Sequence, residues 1–141
     1  MQDAGRIESG KAAACALAGG FVGILPLTLI QSGGAPGLVE FLGLLAAAAS
    51  CGLFGVTYRY AVGSNPQNPH LKGGVVSAFG LVRAASAADI LQLSSAEGPF
   101  SIDVVGKAAL YAGESMLLFG FAAAAIEAGF QKGFIKRVDP A

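Results

Sequence analysis

Two residues of opposite charge, Arg83 and Glu114, stand inside stretches that are otherwise almost free of charge. These stretches run from residue 73 to 93 and from residue 108 to 130. A charge at the centre of a lipid bilayer costs roughly 2.5 to 3.5 kcal/mol, and residues of this kind usually pair with one another. If the two segments pack as antiparallel helices, the long Arg83 side chain would reach the Glu114 carboxylate. We therefore predict an ion pair between Arg83 and Glu114.

Four apolar stretches of the chain are long enough to cross a bilayer, whose hydrocarbon core takes about 20 residues of helix. Hydrophobic residues make up 54% of the chain and charged residues 13%, whereas a soluble domain has about 25% charged residues. A chain of 141 residues leaves no room for a soluble catalytic domain beside four spans. We therefore predict an all-α fold with a single polytopic membrane domain over residues 1–141. Its four transmembrane helices are expected at about residues 12–30, 41–58, 73–93 and 108–130.

Basic residues are distributed unevenly about these spans. An even number of spans places both termini and the central loop on one side, which then carries nearly all the lysine and arginine outside the spans. Because basic loops resist translocation, this side is the cytoplasm-like one. We predict an antiparallel bundle with the N- and C-termini inside, meaning in the cytoplasm or the chloroplast stroma. The basic residues are Arg6, Lys11, Arg59, Lys72, Lys132, Lys136 and Arg137 on that side, and Lys107 on the other.

Small residues recur at every fourth position of all four predicted helices, which places each series on one helix face. Such stripes allow helix backbones to approach closely in lipid. They have two compatible interpretations: they close the bundle itself, or at least one of them docks against a helix of another protein. The series are Cys15, Gly19 and Gly23; Gly43, Ala47, Cys51 and Gly55; Gly80, Ala84 and Ala88; and Gly120, Ala124 and Ala128.

The sequence lacks the residue patterns of common catalytic and metal sites. The single histidine, His70, has no neighbour with which to form a metal or haem site, and Cys15 and Cys51 do not form a Cys-x-x-Cys motif. There is no lysine-bearing phosphate loop and no nucleophile elbow. The net charge of zero gives no general attraction to nucleic acid. We therefore expect no enzymatic activity, no metal site and no nucleic-acid partner.

Three residues at the end of the second span, Tyr58, Arg59 and Tyr60, have the composition of a membrane-surface anchor. Aromatic rings favour the interface, and a long cation there extends its charge into water. We expect anchoring alone at this position. We also expect Glu127 to be solvated, because it lies near the end of the fourth span.

The predicted pair of Arg83 and Glu114 has two possible roles. It would be a structural contact that fixes the register of two helices, as is common for intramembrane charges. Alternatively it would be a cofactor site, because a carboxylate neutralised by an arginine on a neighbouring helix can ligate the magnesium of a chlorophyll, as in light-harvesting proteins. A proton or ion relay would use the same residues, but one central arginine with scattered acids makes a poor relay.

Two segments of the chain resemble a family of small multi-span membrane proteins of cyanobacteria and chloroplasts. They are Leu53-Phe-Gly-Val-Thr-Tyr-Arg-Tyr-Ala-Val62 and Asn68-Pro-His-Leu-Lys-Gly-Gly-Val-Val-Ser-Ala-Phe-Gly-Leu-Val-Arg83. In the family pattern, charged residues follow the tyrosine-arginine-tyrosine segment, whereas Gly63 and Ser64 follow it here. The family has no established activity to carry over. The resemblance implies a location in a thylakoid or related plastid membrane.

These features together favour a non-catalytic accessory or linker subunit of a photosynthetic membrane supercomplex. Such a subunit would pack between photosystem core and antenna proteins, contact lipids, and hold chlorophyll or carotenoid. Two alternatives remain: a small transporter or channel for a lipid or metabolite, and a photosystem assembly factor. The first residues show no signal- or transit-peptide pattern, so for a nuclear-encoded plastid protein we expect this sequence to be the mature form.

Overall fold

The fold of the protein was obtained as a computed structural model that describes residues 2–31, 33–34, 37–63, 67–94 and 102–138. Over these residues the chain forms four α-helices and no strand, which confirms the predicted all-α fold. The helices are α1 (Gln2–Gln31), α2 (Leu38–Val62), α3 (Pro69–Ser94) and α4 (Ile102–Gln131).

Three of these helices are long and apolar enough to cross a membrane. Their candidate spans are Gln2–Ile30, Phe41–Val62 and Ile102–Gln131. Within the described part of the chain α3 is not among them, and its apolar stretch contains both Arg83 and Asp89. The four-span prediction is therefore confirmed for the number of helices but only in part for the number of spans.

The helices extend beyond the predicted spans into the polar flanks. α1 begins at Gln2, not near residue 12, so the N-terminal arm is helical. α3 begins where the Asn68 side-chain oxygen accepts the backbone N–H groups of His70 and Leu71, at 3.1 and 3.2 Å. Pro69 takes the first helical position, where its missing N–H would have no partner in the helix. The Asn68–Pro69 pair is thus the N-terminal cap of α3.

α4 is the central helix of the bundle, since it packs against each of the other three. α1 also packs against α2, and α2 against α3. Rings from three helices meet in the core: Phe54 of α2, Phe79 of α3 and Phe119 of α4 have centroids 5.1 to 5.5 Å apart. The tilted and edge-to-face geometry is favoured for aromatic pairs, so this cluster holds the α2, α3 and α4 helices together on the side away from α1.

Three of the small-residue stripes are used inside the bundle. In α3, a methyl group added at Gly80 would lie 2.8 Å from the Met116 side chain of α4, and Ala84 is buried. A methyl group added at Gly19 of α1 would lie 2.5 Å from Cβ of Ala125 and 2.6 Å from the carbonyl oxygen of Phe121, both on α4. A methyl group added at Gly55 of α2 would lie 2.6 Å from the carbonyl oxygen of Ala12 on α1. The distances at Gly19 and Gly55 are too short for any side chain, so glycine is required there for the close approach of the helices.

Both ends of the described chain meet at one end of the bundle, where α1 and α3 begin and α2 and α4 end. We call this the basic end, because it carries the basic residues of both termini and of the central loop. At the opposite end Asp103 pairs with Lys107 of the next turn at 2.8 Å. Glu97 and the side chain of Glu40 lie outside the described residues.

Candidate functional site

The Glu127 carboxylate on α4 is the centre of a polar cluster at the basic end. The Tyr58 hydroxyl group on α2 donates to Oε1 of Glu127 at 2.9 Å. Lys72 Nζ on α3 lies 3.2 Å from the same oxygen, and Arg137 Nη2 lies 3.4 Å from Oε2. One carboxylate therefore links α2, α3, α4 and the segment that follows α4.

That segment, residues 132–138, folds back over the basic end and is fastened to α1 and α2. Glu8 of α1 accepts the backbone N–H of Lys136 at 2.6 Å and also pairs with Lys11 at 2.8 Å. Arg59 of α2 donates from Nε to the carbonyl oxygen of Lys136 at 3.0 Å and from Nη1 to the Ser9 hydroxyl at 3.2 Å. Hydrogen bonds therefore connect the early turns of α1, the end of α2 and the C-terminal segment to one another.

These contacts correct the anchor predicted from Tyr58, Arg59 and Tyr60. Tyr58 and Arg59 are buried, with 1% and 5% of their surface exposed, and both make long-range hydrogen bonds. Only Tyr60 is exposed, with the Arg59 guanidinium 5.3 Å from its ring centroid. The expectation that Glu127 is solvated is also wrong, because its side chain is 19% exposed and has three partners. The sequence signal that was overlooked is the number of basic residues around this single acid.

Arg83 of α3 contacts α4 at the level of its third and fourth turns. Its Nη1 donates to the Ser115 hydroxyl at 3.1 Å, and its guanidinium lies 4.7 Å from the centroid of the Tyr111 ring. Ser115 is fully buried and in turn donates to the carbonyl oxygen of Tyr111 at 2.8 Å. Arg83 is thus held in place by a hydroxyl group and a ring face, neither of which was predicted.

Glu114, the second of the predicted site residues, is the neighbour of Ser115 on α4. Arg83 therefore lies at the level of Glu114, as the antiparallel arrangement required. Successive residues point about 100° apart around a helix, so Glu114 and Ser115 face different directions. The ion pair of Arg83 with Glu114, and the role of either residue at a chlorophyll, stay predictions.

A cleft of about 720 Å³ lies between α2 and α3. The wall on α2 includes Ala46, Ser50 and Leu53, and the α4 side includes Tyr111 and Phe119. α3 contributes Phe79, Val82, Arg83, Ser86 and Ala87. Ser50 and Ser86 donate their hydroxyl groups to backbone carbonyls one turn earlier, at 2.8 and 3.0 Å. Among the described residues, the lining is consequently apolar except at the Arg83 guanidinium and the Tyr111 hydroxyl group.

A second, shallower groove of about 250 Å³ runs along the outer face of α4. Met116, Leu117, Gly120, Phe121 and Ala124 line it. A methyl group added at Gly120 would meet nothing within 4 Å, and Ala124 and Ala128 are exposed. Among the residues that the structure describes, no helix of this chain covers the small-residue stripe of α4.

The described residues contain no group of three or more His, Cys, Asp or Glu side chains that could hold a metal ion. Comparison of the chain with known protein families, curated proteins and solved structures gives no match. The resemblance to plastid membrane proteins therefore has no support from these comparisons, and function must be argued from the basic end, the cleft and the groove.

Proposed function

We propose that this protein is a non-catalytic accessory or linker subunit of a photosynthetic membrane supercomplex. In this proposal all four helices cross the thylakoid membrane and both termini lie on the stromal side. The proposal draws the membrane type from the sequence resemblance and the orientation from the basic end, since basic segments remain on the cytoplasm-like side.

The observation that carries the proposal is the uncovered stripe of Gly120, Ala124 and Ala128 on α4. The corresponding stripe of α1 is already packed against α4, where an added methyl group would clash. On α4 the groove beside the stripe is open, and Leu117 and Phe121 at its edges are each 46% exposed. In lipid, small residues mark the places where a second helix packs closely. A helix of a photosystem core or antenna protein would fill this groove.

Pigments form the second part of the proposal. A chlorophyll would use the Glu114 carboxylate as a magnesium ligand, and carotenoid would lie along the apolar helix faces. If Glu114 has this role, its replacement by leucine, which has no oxygen ligand for magnesium, should remove one chlorophyll from the purified complex without removing the protein. Unchanged pigment content would leave the linker role in place but would rule out Glu114 as the ligand.

The test of the linker role is a native gel of solubilised thylakoids that carry tagged variants of the protein. We expect the unchanged protein to migrate with a photosystem band. Gly120→Leu and Ala124→Leu should fill the groove and release the protein from that band, whereas Ala49→Leu, at an exposed position of α2, should not. Migration of the unchanged protein apart from every photosystem and antenna band would overturn the proposal.

The cleft between α2 and α3 favours one alternative, a carrier for a lipid or an apolar metabolite. Its volume falls within the range of about 300 to 1,000 Å³ that is usual for small-molecule sites. A carrier would exchange lipid between membranes or leaflets when reconstituted alone, which a linker subunit would not do. An assembly factor would join photosystem bands only during assembly, so a pulse-chase on the same native gel separates it from a permanent subunit.

A further inference from the structure

The cleft between α2 and α3 combines an apolar lining with one cationic group. Its described walls are formed by small, branched and aromatic side chains, and the serines among them donate to backbone carbonyls of their own helices. The Arg83 guanidinium is the exception, and it has five N–H donors in a planar fork. One of them is given to Ser115.

The two described contacts of the guanidinium, the Ser115 hydroxyl and the Tyr111 ring, are uncharged. Both hold the group in position, but neither supplies a full negative charge. A guanidinium at this depth favours an anion, and its fork matches the oxygens of a carboxylate or phosphate. Charge complementarity therefore indicates an anionic occupant for the cleft.

Arg83 lies deeper than a lipid headgroup normally does, so its side chain and the headgroup must both move to meet. Ser115 lies eight residues after the exposed Lys107 on α4, which is roughly 12 Å along a helix at 1.5 Å per residue. Half the thickness of the hydrocarbon core is about 15 Å, so Ser115 is close to the midplane if Lys107 marks the membrane surface. An arginine side chain spans several ångströms and extends its charge towards the nearer surface, which shortens the distance over which the headgroup must be drawn inward.

We propose that the cleft binds one anionic glycerolipid, with an acyl chain along the apolar walls and headgroup oxygens on Arg83. A cleft of about 720 Å³ has the volume of about 24 water molecules at about 30 Å³ each. This volume is large enough for most of an acyl chain. A zwitterionic lipid of the same chain length would fill the same walls, but its positive group would oppose Arg83. The site is independent of the linker role, because it needs only this chain and a bilayer.

The experiment uses the full chain, purified in detergent and freed of lipid, then titrated with phosphatidylglycerol or with phosphatidylcholine of the same acyl chains. Native mass spectrometry counts the lipids that each protein retains. We expect one phosphatidylglycerol to be retained at concentrations at which phosphatidylcholine is lost. Arg83→Gln should weaken this retention at least roughly tenfold, as expected for the loss of a charge-assisted hydrogen bond.

Matched variants distinguish the cleft from other basic positions. Lys132→Gln and Lys107→Gln change exposed cations at the two ends of the bundle and should leave retention of phosphatidylglycerol unchanged. Arg83→Lys keeps the charge and should retain the preference in part. Ala46→Phe keeps Arg83 but places a larger side chain on the α2 wall and so narrows the cleft. It should therefore reduce retention of both lipids.

Three outcomes would overturn the proposal. Equal retention of the two lipids by the unchanged protein would remove the anionic preference. An undiminished preference in Arg83→Gln would mean that the charge of Arg83 is met within the protein or that the lipid binds at the basic end. If Arg83→Gln does not fold, Ala46→Phe decides, since unchanged retention in that variant would place the lipid outside the cleft. None of these results bears on the linker role, which the native gel tests separately.

Discussion

Replacement of Glu127 by alanine is predicted to be the most damaging single change at the basic end. The Tyr58 hydroxyl group would lose its acceptor while it stays buried, which costs about 1 to 3 kcal/mol. Lys72 and Arg137, whose side chains are 30% and 31% exposed, would each lose an ion pair worth about 0 to 1 kcal/mol. The expected decrease in the free energy of unfolding is therefore about 1 to 5 kcal/mol.

The assay is reversible unfolding in mixed micelles of increasing SDS content, followed by far-UV circular dichroism. Glu127→Gln keeps an oxygen for Tyr58 and should lose only about 1 kcal/mol. Asp103→Asn removes the carboxylate of an ion pair in which both side chains are more than half exposed, so it should leave the midpoint unchanged. A double-mutant cycle of Tyr58→Phe with Glu127→Ala should give a coupling free energy above about 0.5 kcal/mol. Stability of Glu127→Ala equal to that of the unchanged protein would refute the role of Glu127.

Three further predictions concern packing, the C-terminal segment and topology. Gly19→Ala should destabilise the bundle by about 1 to 3 kcal/mol through overpacking. Gly43→Ala is the control and should be tolerated, because an added methyl group there meets nothing within 4 Å. Equal unfolding midpoints of these two variants would contradict the α1–α4 contact. Glu8→Ala removes the acceptor of the Lys136 N–H, so it should release the segment after α4 and speed its cleavage by trypsin. An unchanged cleavage rate would mean that Ile135, which is buried, is sufficient to hold the segment. Cysteines introduced at residues 4 and 132 of a cysteine-free variant should react with an impermeant reagent from the same membrane face, and labelling from opposite faces would exclude the antiparallel bundle.

Helix number and helix class could be predicted from the sequence because they depend on local features. Long uncharged stretches form helices in lipid to satisfy their backbone groups internally, and this gave four helices in the right places. The polar flanks were predicted less well, since the helical arm before residue 12 depends on contacts of Glu8 with the distant Lys136.

Long-range partners could not be predicted from spacing alone. Arg83 was expected opposite Glu114, and it does lie at that level of α4, but its described hydrogen bond goes to the neighbouring Ser115. Neighbouring residues of a helix point about 100° apart. The positions of charges in the sequence do not show which of the two neighbours faces Arg83. The cluster around Glu127 was missed for a related reason: Tyr58 reaches Glu127 only when α2 packs against α4, and Arg137 only when the C-terminal segment folds back.

The small-residue stripes required the structure before their roles could be separated. All four look alike in the sequence. Gly19 and Gly55 face backbone of neighbouring helices, whereas Gly120 faces open space. Whether a stripe is internal depends on which helix face the bundle buries, and this follows from packing of large side chains such as Phe54 and Phe119 in the core.

Site-specific photocrosslinking at Leu117 in native thylakoid membranes tests the central claim most directly. Leu117 lies at the edge of the open α4 groove and is 46% exposed, so a photoreactive phenylalanine derivative would fit there without blocking Gly120. We predict a crosslinked product that contains a peptide of a photosystem core or antenna protein, identified by mass spectrometry, and its loss when Ala124→Leu is added. Lipid adducts alone at Leu117, from a protein that is inserted and stable, would contradict the proposal that this chain is a linker subunit.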